Sequence, residues 1–187
     1  MNHQGTKMLE TQRLILRPFA AMDAQAMYNN WASDPEVTRY LMWPYHKSLQ
    51  DSQDVINLWM ADYPNDDYYQ WAMVPKDVGQ PIGCIGAVGQ DEKLKSMEIG
   101  YCIGKQWWNQ GLMTEALAAV MAYLFEEVGI NRLELRHDTD NPASGRVMAK
   151  CGLQLEGIHR QAGHNNQGVC DSAIYAILAE DYRQTKA

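Results

Sequence analysis

The chain has 187 residues, enough for one domain with a continuous core. Hydrophobic residues make up 46% and charged residues 21%, which argues against disorder, and no apolar run approaches the roughly 20 residues that a membrane span requires. A formal net charge of -7 without clustered Lys and Arg excludes a general nucleic-acid surface and favours, if anything, a cationic partner.

The start, MNHQGTKMLE, has no apolar stretch of the secretory type, so a cytoplasmic protein is expected, one domain over residues 1–187 with 1–7 as a disordered leader. Leu14, Ile15 and Leu16, ending at Pro18, predict a short strand, and Asp23 to Trp31 a helix. Asp34 followed by Pro35 has the form of an N-cap with proline at the first helical position, and predicts a short helix to about Tyr40. Ser48 and Asp51 resemble a capping box, and Val55, Ile56, Trp59 and Met60 give the next helix its apolar face. From Tyr68 the period changes to two, with Tyr69, Trp71 and Met73 alternating against Gln70, Ala72 and Val74. A turn at Lys76 to Gln80, a strand from Pro81 to Val88, a turn at Asp91 to Lys95 and a strand from Met97 to Ile103 complete an antiparallel meander.

Met113, Ala116, Leu117, Val120, Met121 and Leu124 recur at helical spacing and predict an amphipathic helix ending near Gly129. Arg132 to Asp138 alternates as a strand, Asn141 and Pro142 open a helix that Gly152 closes, and Leu153 to Glu156 and Val169 to Leu178 supply the final strands. The polar stretch IHRQAGHNNQG between them, with His159 and His164, reads as a loop at a substrate entrance. This order predicts an α+β fold, a mixed central sheet flanked by helices. The four cysteines, Cys84, Cys102, Cys151 and Cys170, form no CxxC pair and have no histidine at finger spacing, so no metal is expected.

The segment GKQWWNQGLMTEAL joins the strand SMEIGYCI to the long helix. A glycine-containing turn at a helix N-terminus presents unpaired N–H groups and the positive end of the helix dipole, which suits a pyrophosphate. It lacks the Gly-Lys-Ser/Thr ending of a nucleotide P-loop and follows an antiparallel meander, so nucleotide hydrolysis and dinucleotide binding fit poorly.

Four segments, LETQRLILRPF, MEIGYCI, WWNQGLMTEAL and DNPASGRVMAKCGLQLEG, occur in the order found in the GNAT superfamily of N-acetyltransferases, and the chain resembles its ribosomal-protein N-terminal acetyltransferase (RimJ/RimL-like) branch. The resemblance implies the GNAT fold and acetyl-CoA as co-substrate, with no metal. It places the pyrophosphate loop on Trp108, Asn109, Gln110, Gly111, Leu112 and Met113, with the Thr114 hydroxyl as an added donor. Gly111 is retained, whereas Met113 stands where the family has a small residue and threatens to narrow the approach. Cys102 and Ile103 fall on the family's splayed strand, whose free backbone groups pair with the pantetheine arm and polarise the thioester. Asn141 matches the Asn that contacts that arm, and Ser144 the hydroxyl near the sulfur. A plain helix cap is the alternative for Asn141, and a first-turn serine for Ser144.

Attack of an amine on a thioester requires the amine to lose a proton and the thiolate to gain one. Glu98, inside an otherwise apolar strand, is the expected base because desolvation raises a carboxyl pKa, and Gly100 leaves its face open. Ser144 is the expected acid, with Tyr175 as its rival. The acceptor is an amine, either a peptide N-terminus or a small molecule; a homodimer is compatible with the chain. The alternative of another class is a non-catalytic acyl-CoA-binding module with the same fold.

Overall fold

A computed structural model of the chain describes residues 1–185. The first half contains β1 (Leu9–Glu10), β2 (Leu14–Arg17), α1 (Ala24–Met27), α2 (Pro35–Thr38), α3 (Leu49–Asp62), β3 (Gln70–Pro75) and β4 (Gly83–Asp91). The second half contains β5 (Ser96–Ile103), α4 (Leu112–Tyr123), β6 (Arg132–Asp138), α5 (Pro142–Lys150), β7 (Gln154–Asn165), β8 (Gly168–Leu178) and α6 (Ala179–Thr185). The strands form one eight-stranded sheet in the order β1-β2-β3-β4-β5-β6-β8-β7. Every neighbouring pair is antiparallel except β5 with β6. The expected α+β architecture is therefore present.

Side chains alternate across each strand, so the sheet sorts its apolar residues into two cores. Met97 and Ile99 of β5, with Leu133 and Leu135 of β6, pack against Ala116, Leu117, Val120 and Met121 of α4 and Met148 of α5. Cys102 points the other way, into a second cluster with Phe19, Met27, Trp31 and Ile56 from the α1–α3 side. Leu117 and Val120 are fully buried, which contributes about 1.5–3 kcal/mol each. The helical period read from the sequence is thus the contact face of α4. Beyond Tyr123 the helix continues as a π-helical turn over Leu124–Val128 and stops at Gly129, whose φ of 75° is the left-handed conformation of a C-terminal glycine.

Two of the predicted caps form. Asp34 accepts from the Glu36 N–H at 2.8 Å, and the Asp51 carboxylate accepts from the Ser48 N–H at 3.0 Å. The helix expected from Asp23 is composite, a 3-10 turn at Ala21–Asp23 followed by α1 and a π-helical turn at Tyr28–Ala32.

Two expectations are corrected. Residues 1–7 are not a detached leader: Asn2 N–H donates to Val128 O (2.8 Å), Gly5 N–H to Asp66 O (2.6 Å) and the Thr6 hydroxyl to Tyr68 O (2.9 Å). Two backbone N–H groups and a hydroxyl thus find partners at the end of the π-helical turn and in the connection between α3 and β3, which holds the segment in place. The segment Ile158 to Gly168 is not a loop either, because β7 runs from Gln154 to Asn165 and pairs with β8. Register shifts at Leu155/Gly157 and His159/Gly163 break its alternation, and both faces are largely exposed, so the apolar period that marks a strand is missing.

Candidate functional site

The parallel pairing of β5 with β6 covers three residue pairs, Ser96–Arg132, Met97–Leu133 and Glu98–Glu134, and then stops. Beyond it, β5 continues against β4 as far as Ile103 while β6 continues against β8 as far as Asp138, so the two strands diverge and leave a gap. Backbone direction along β5 follows from two bonds. Gly104 N–H donates to Ile82 O on the β4 side, whereas Lys95 O accepts from Asn131 N–H on the β6 side. Alternation along an antiparallel ladder then turns the N–H and C=O of Cys102 and Gly100 toward β4, and those of Ile99, Tyr101 and Ile103 toward the gap. Of the two residues expected to offer free backbone groups, Ile103 faces the gap and Cys102 does not. Ile103 O is already taken by the Trp108 indole N–H at 2.8 Å, which leaves its N–H for a ligand.

The turn from β5 to α4 closes one end of this gap. Asn109 (φ 60°) and Gly111 (φ 76°) both adopt left-handed backbone conformations, and no side chain caps the first turn of α4. The N–H groups of Leu112, Met113 and Thr114 are therefore left without a side-chain cap at the positive end of the helix dipole, an arrangement that suits an anion. Met113 is buried in the core at 6% exposure, so its bulk does not narrow the approach. Arg13 braces the turn: its guanidinium donates to Gln110 O (2.9 Å) and pairs with Glu115 (2.7 Å). Although burial acts the other way, bonds from Thr11 and Arg13 hold the Glu115 carboxyl below its ordinary value. Sequence reasoning passes over Arg13, for it lies about a hundred positions away from the residues it meets.

Across the gap stands the first turn of α5. Asn141 precedes it without forming a side-chain cap, so the plain-cap alternative is not what the fold displays. Ser144 Oγ lies 3.0 Å from the hydroxyl of Tyr101, which reaches over from β5. Gly145 packs so closely on His137 that a Cβ there would sit 2.6 Å from Nε2. Tyr175, the rival acid, lies on the neighbouring β8 with its ring 5.5 Å from that of His137.

Glu98 is on the opposite face from Tyr101 and Ser144, as the alternation of β5 requires. It lines a shallow depression of about 210 Å³ with Glu134 and Arg136, and its carboxylate lies 3.3 Å from the Arg136 guanidinium. Burial raises its pKa above the ordinary glutamate value, with Arg136 opposing and Glu134 reinforcing the shift. The face left open by Gly100 is occupied in part, for a Cβ there would meet Val88 at 3.0 Å. Val88 is the extra residue of a bulge in β4. On this same side the β7–β8 turn docks on the end of α2 and the segment after it: Asn166 donates to Thr38 O and Trp43 O, both at 2.8 Å. His159 and His164 are exposed on β7.

The family model described as acetyltransferase (GNAT) domain matches residues 13–154. The chain is 34% identical over 170 residues to the uncharacterized N-acetyltransferase YoaA of Bacillus subtilis, covering 91% of this chain and 96% of that one. It is 24% identical over 157 residues to the [ribosomal protein uS5]-alanine N-acetyltransferase of Escherichia coli, covering 80% and 79%. Among solved structures, the Microcin C7 self immunity acetyltransferase MccE in complex with acetyl-CoA and AMP superposes with a TM-score of 0.79 at 23% identity, covering 90% of this chain and 93% of that one.

Proposed function

The chain belongs to the GNAT acetyltransferase family, and from that membership we propose that it moves the acetyl group of acetyl-CoA to a primary amine, a protein N-terminus or a small amine, by direct attack on the thioester. The observation that carries this reading is the gap between β5 and β6 ending at an uncapped helix N-terminus. The Asn109–Thr114 turn fits the pyrophosphate, because its groups are backbone N–H and its glycine leaves room for close approach. The gap-facing edge of β5 fits an extended pantetheine arm, which needs backbone partners of the kind a sheet strand gives. Asn141, at the far wall, adds a side-chain amide.

The two proton-handling groups support direct transfer by where they lie. Glu98 faces the α1–α3 side and Ser144 the α4–α5 side, so an amine entering from one face meets a carbonyl whose leaving group departs toward the other. The N–H of Tyr101 or Ile103 donates to the carbonyl oxygen as charge develops there. Glu98, or a water it holds, takes the amine proton, and Ser144 supplies the sulfur with one. The acidic Glu98–Glu134 depression favours a cationic acceptor. Because the uS5-alanine relative acts on a ribosomal protein, peptide N-termini come first among acceptors to try.

A panel of small amines and of peptides beginning in Ser or Ala, incubated with acetyl-CoA and followed by thiol release and product mass, tests this. Acetylated acceptor is the expected result. Tight coenzyme A binding with no acetylated acceptor anywhere in the panel would contradict it.

A further inference from the structure

Nothing in MEIGYCI separates Tyr101 from its apolar neighbours, yet its hydroxyl crosses the gap from β5 to α5. It lies 3.0 Å from Ser144 Oγ and 3.1 Å from Ser144 O. A phenol has one proton to give, and here two oxygens compete for it. If the proton points at the carbonyl, the serine hydroxyl must turn its own hydrogen back onto the phenol. If the proton points at Oγ, the serine hydrogen is released to point elsewhere, and the gap is the open direction.

We propose that Tyr101 is a positioning residue for Ser144: its O–H donates to Ser144 Oγ and so aims the serine O–H at the sulfur leaving in the gap. This rests on Ser144 being the acid. Burial pushes the Tyr101 phenol well above its ordinary value, with the Ser144 bond acting the other way. The group therefore keeps its proton and acts as a neutral donor rather than as an acid. When the C–S bond breaks, the electron pair stays on sulfur and the Ser144 proton moves to it. Water reprotonates Oγ in the same movement, and the Tyr101 O–H stabilises the partial negative charge that develops on Oγ meanwhile. Placement agrees with this role, because Tyr101 belongs to the stretch of β5 that has lost its β6 partner, and its ring packs on the α4–α5 core.

The test uses Tyr101→Phe, Ser144→Ala and the double variant, assayed with acetyl-CoA and the fastest acceptor from the amine panel. Tyr101→Phe keeps the ring and its packing. The inference predicts a kcat about tenfold lower, the size of one hydrogen bond to a developing charge, with KM for acetyl-CoA, calorimetric coenzyme A affinity and melting temperature close to parent. Within the Ser144→Ala background the same change costs nothing further, because the two groups act as one unit. A parent-like kcat in Tyr101→Phe, a loss that multiplies with that of Ser144→Ala, or a loss appearing in KM and melting temperature overturns the inference. A parent-like Ser144→Ala removes the acid assignment itself, and the inference with it; a slow Ser144→Ala beside a fast Tyr101→Phe removes the inference alone.

Discussion

Glu98 sits between opposing influences: burial and Glu134 favour its neutral form, whereas Arg136 at 3.3 Å favours the carboxylate. As a base it must be ionised, so activity falls on the acid side through a pKa above that of ordinary glutamate. Glu98→Gln is expected to lower kcat by roughly 10²-fold or more and to remove that limb from the pH profile; an unchanged rate and profile return Glu98 to a structural role. Arg136→Gln takes away the influence that lowers the pKa, so the limb should move to higher pH, and a limb that stays in place would show that Glu98 is not the group titrating. The stability effect has a definite sign. A carboxyl with a raised pKa in the fold binds more protons there than in the unfolded chain, so stability falls as pH rises from the ordinary value through the folded one. At pH 7 Glu98→Gln is therefore expected to melt no lower than the parent. The proposal for Glu98 starts from a local signal, a lone carboxylate in an apolar strand, and that for Ser144 from the family resemblance of its NPAS helix start. Tyr101 has no such signal, because the role proposed for it depends on which strand loses its neighbour.

At the scale of elements, the turn before α4 combines a local signal with a distant one. Gly111 is visible in the sequence, and its φ of 76° explains why glycine is needed. Gly111→Val is expected to weaken coenzyme A binding by at least about tenfold, as read by calorimetry, because a branched side chain both strains the turn and fills the approach to its N–H groups. Parent-like binding would show that phosphate goes elsewhere. Arg13 and Glu115 form the distant part. The Glu115 pKa is depressed in the fold, so the stabilisation from this brace is complete above the unfolded value and is lost as pH falls through the folded one. The melting-temperature gap between parent and Glu115→Gln should accordingly be widest near neutrality and shrink below about pH 4; a gap that does not depend on pH would mean that packing, not charge, holds the turn. The β7–β8 hairpin shows the limit of reading periods. Its register shifts end at Gly157 and Gly163, its exposed side chains mix Leu155, Ile158 and Val169 with polar ones, and its turn is fixed by the bonds from Asn166 to Thr38 O and Trp43 O.

For the whole molecule, element order was readable because β5, α4, β6, α5 and β8 declare themselves through their own spacing and flanking turns, whereas β7 beyond Glu156 and α6 do not. The sheet order and the length of each ladder were not. A ladder of three residue pairs between β5 and β6 and a longer one between β6 and β8 together open the gap, and both depend on pairings between segments far apart in the sequence. Strand alternation sets Glu98 and Ser144 on opposite faces beside that opening, and under the proposed reading, with Glu98 as base and Ser144 as acid, an amine attacks the thioester itself with no acyl group passing through the enzyme. Initial rates measured with acetyl-CoA and acceptor amine both varied test this most directly. Direct attack predicts acetylated amine and double-reciprocal lines that intersect, whereas parallel lines with an acetylated protein isolated in the absence of amine would contradict it.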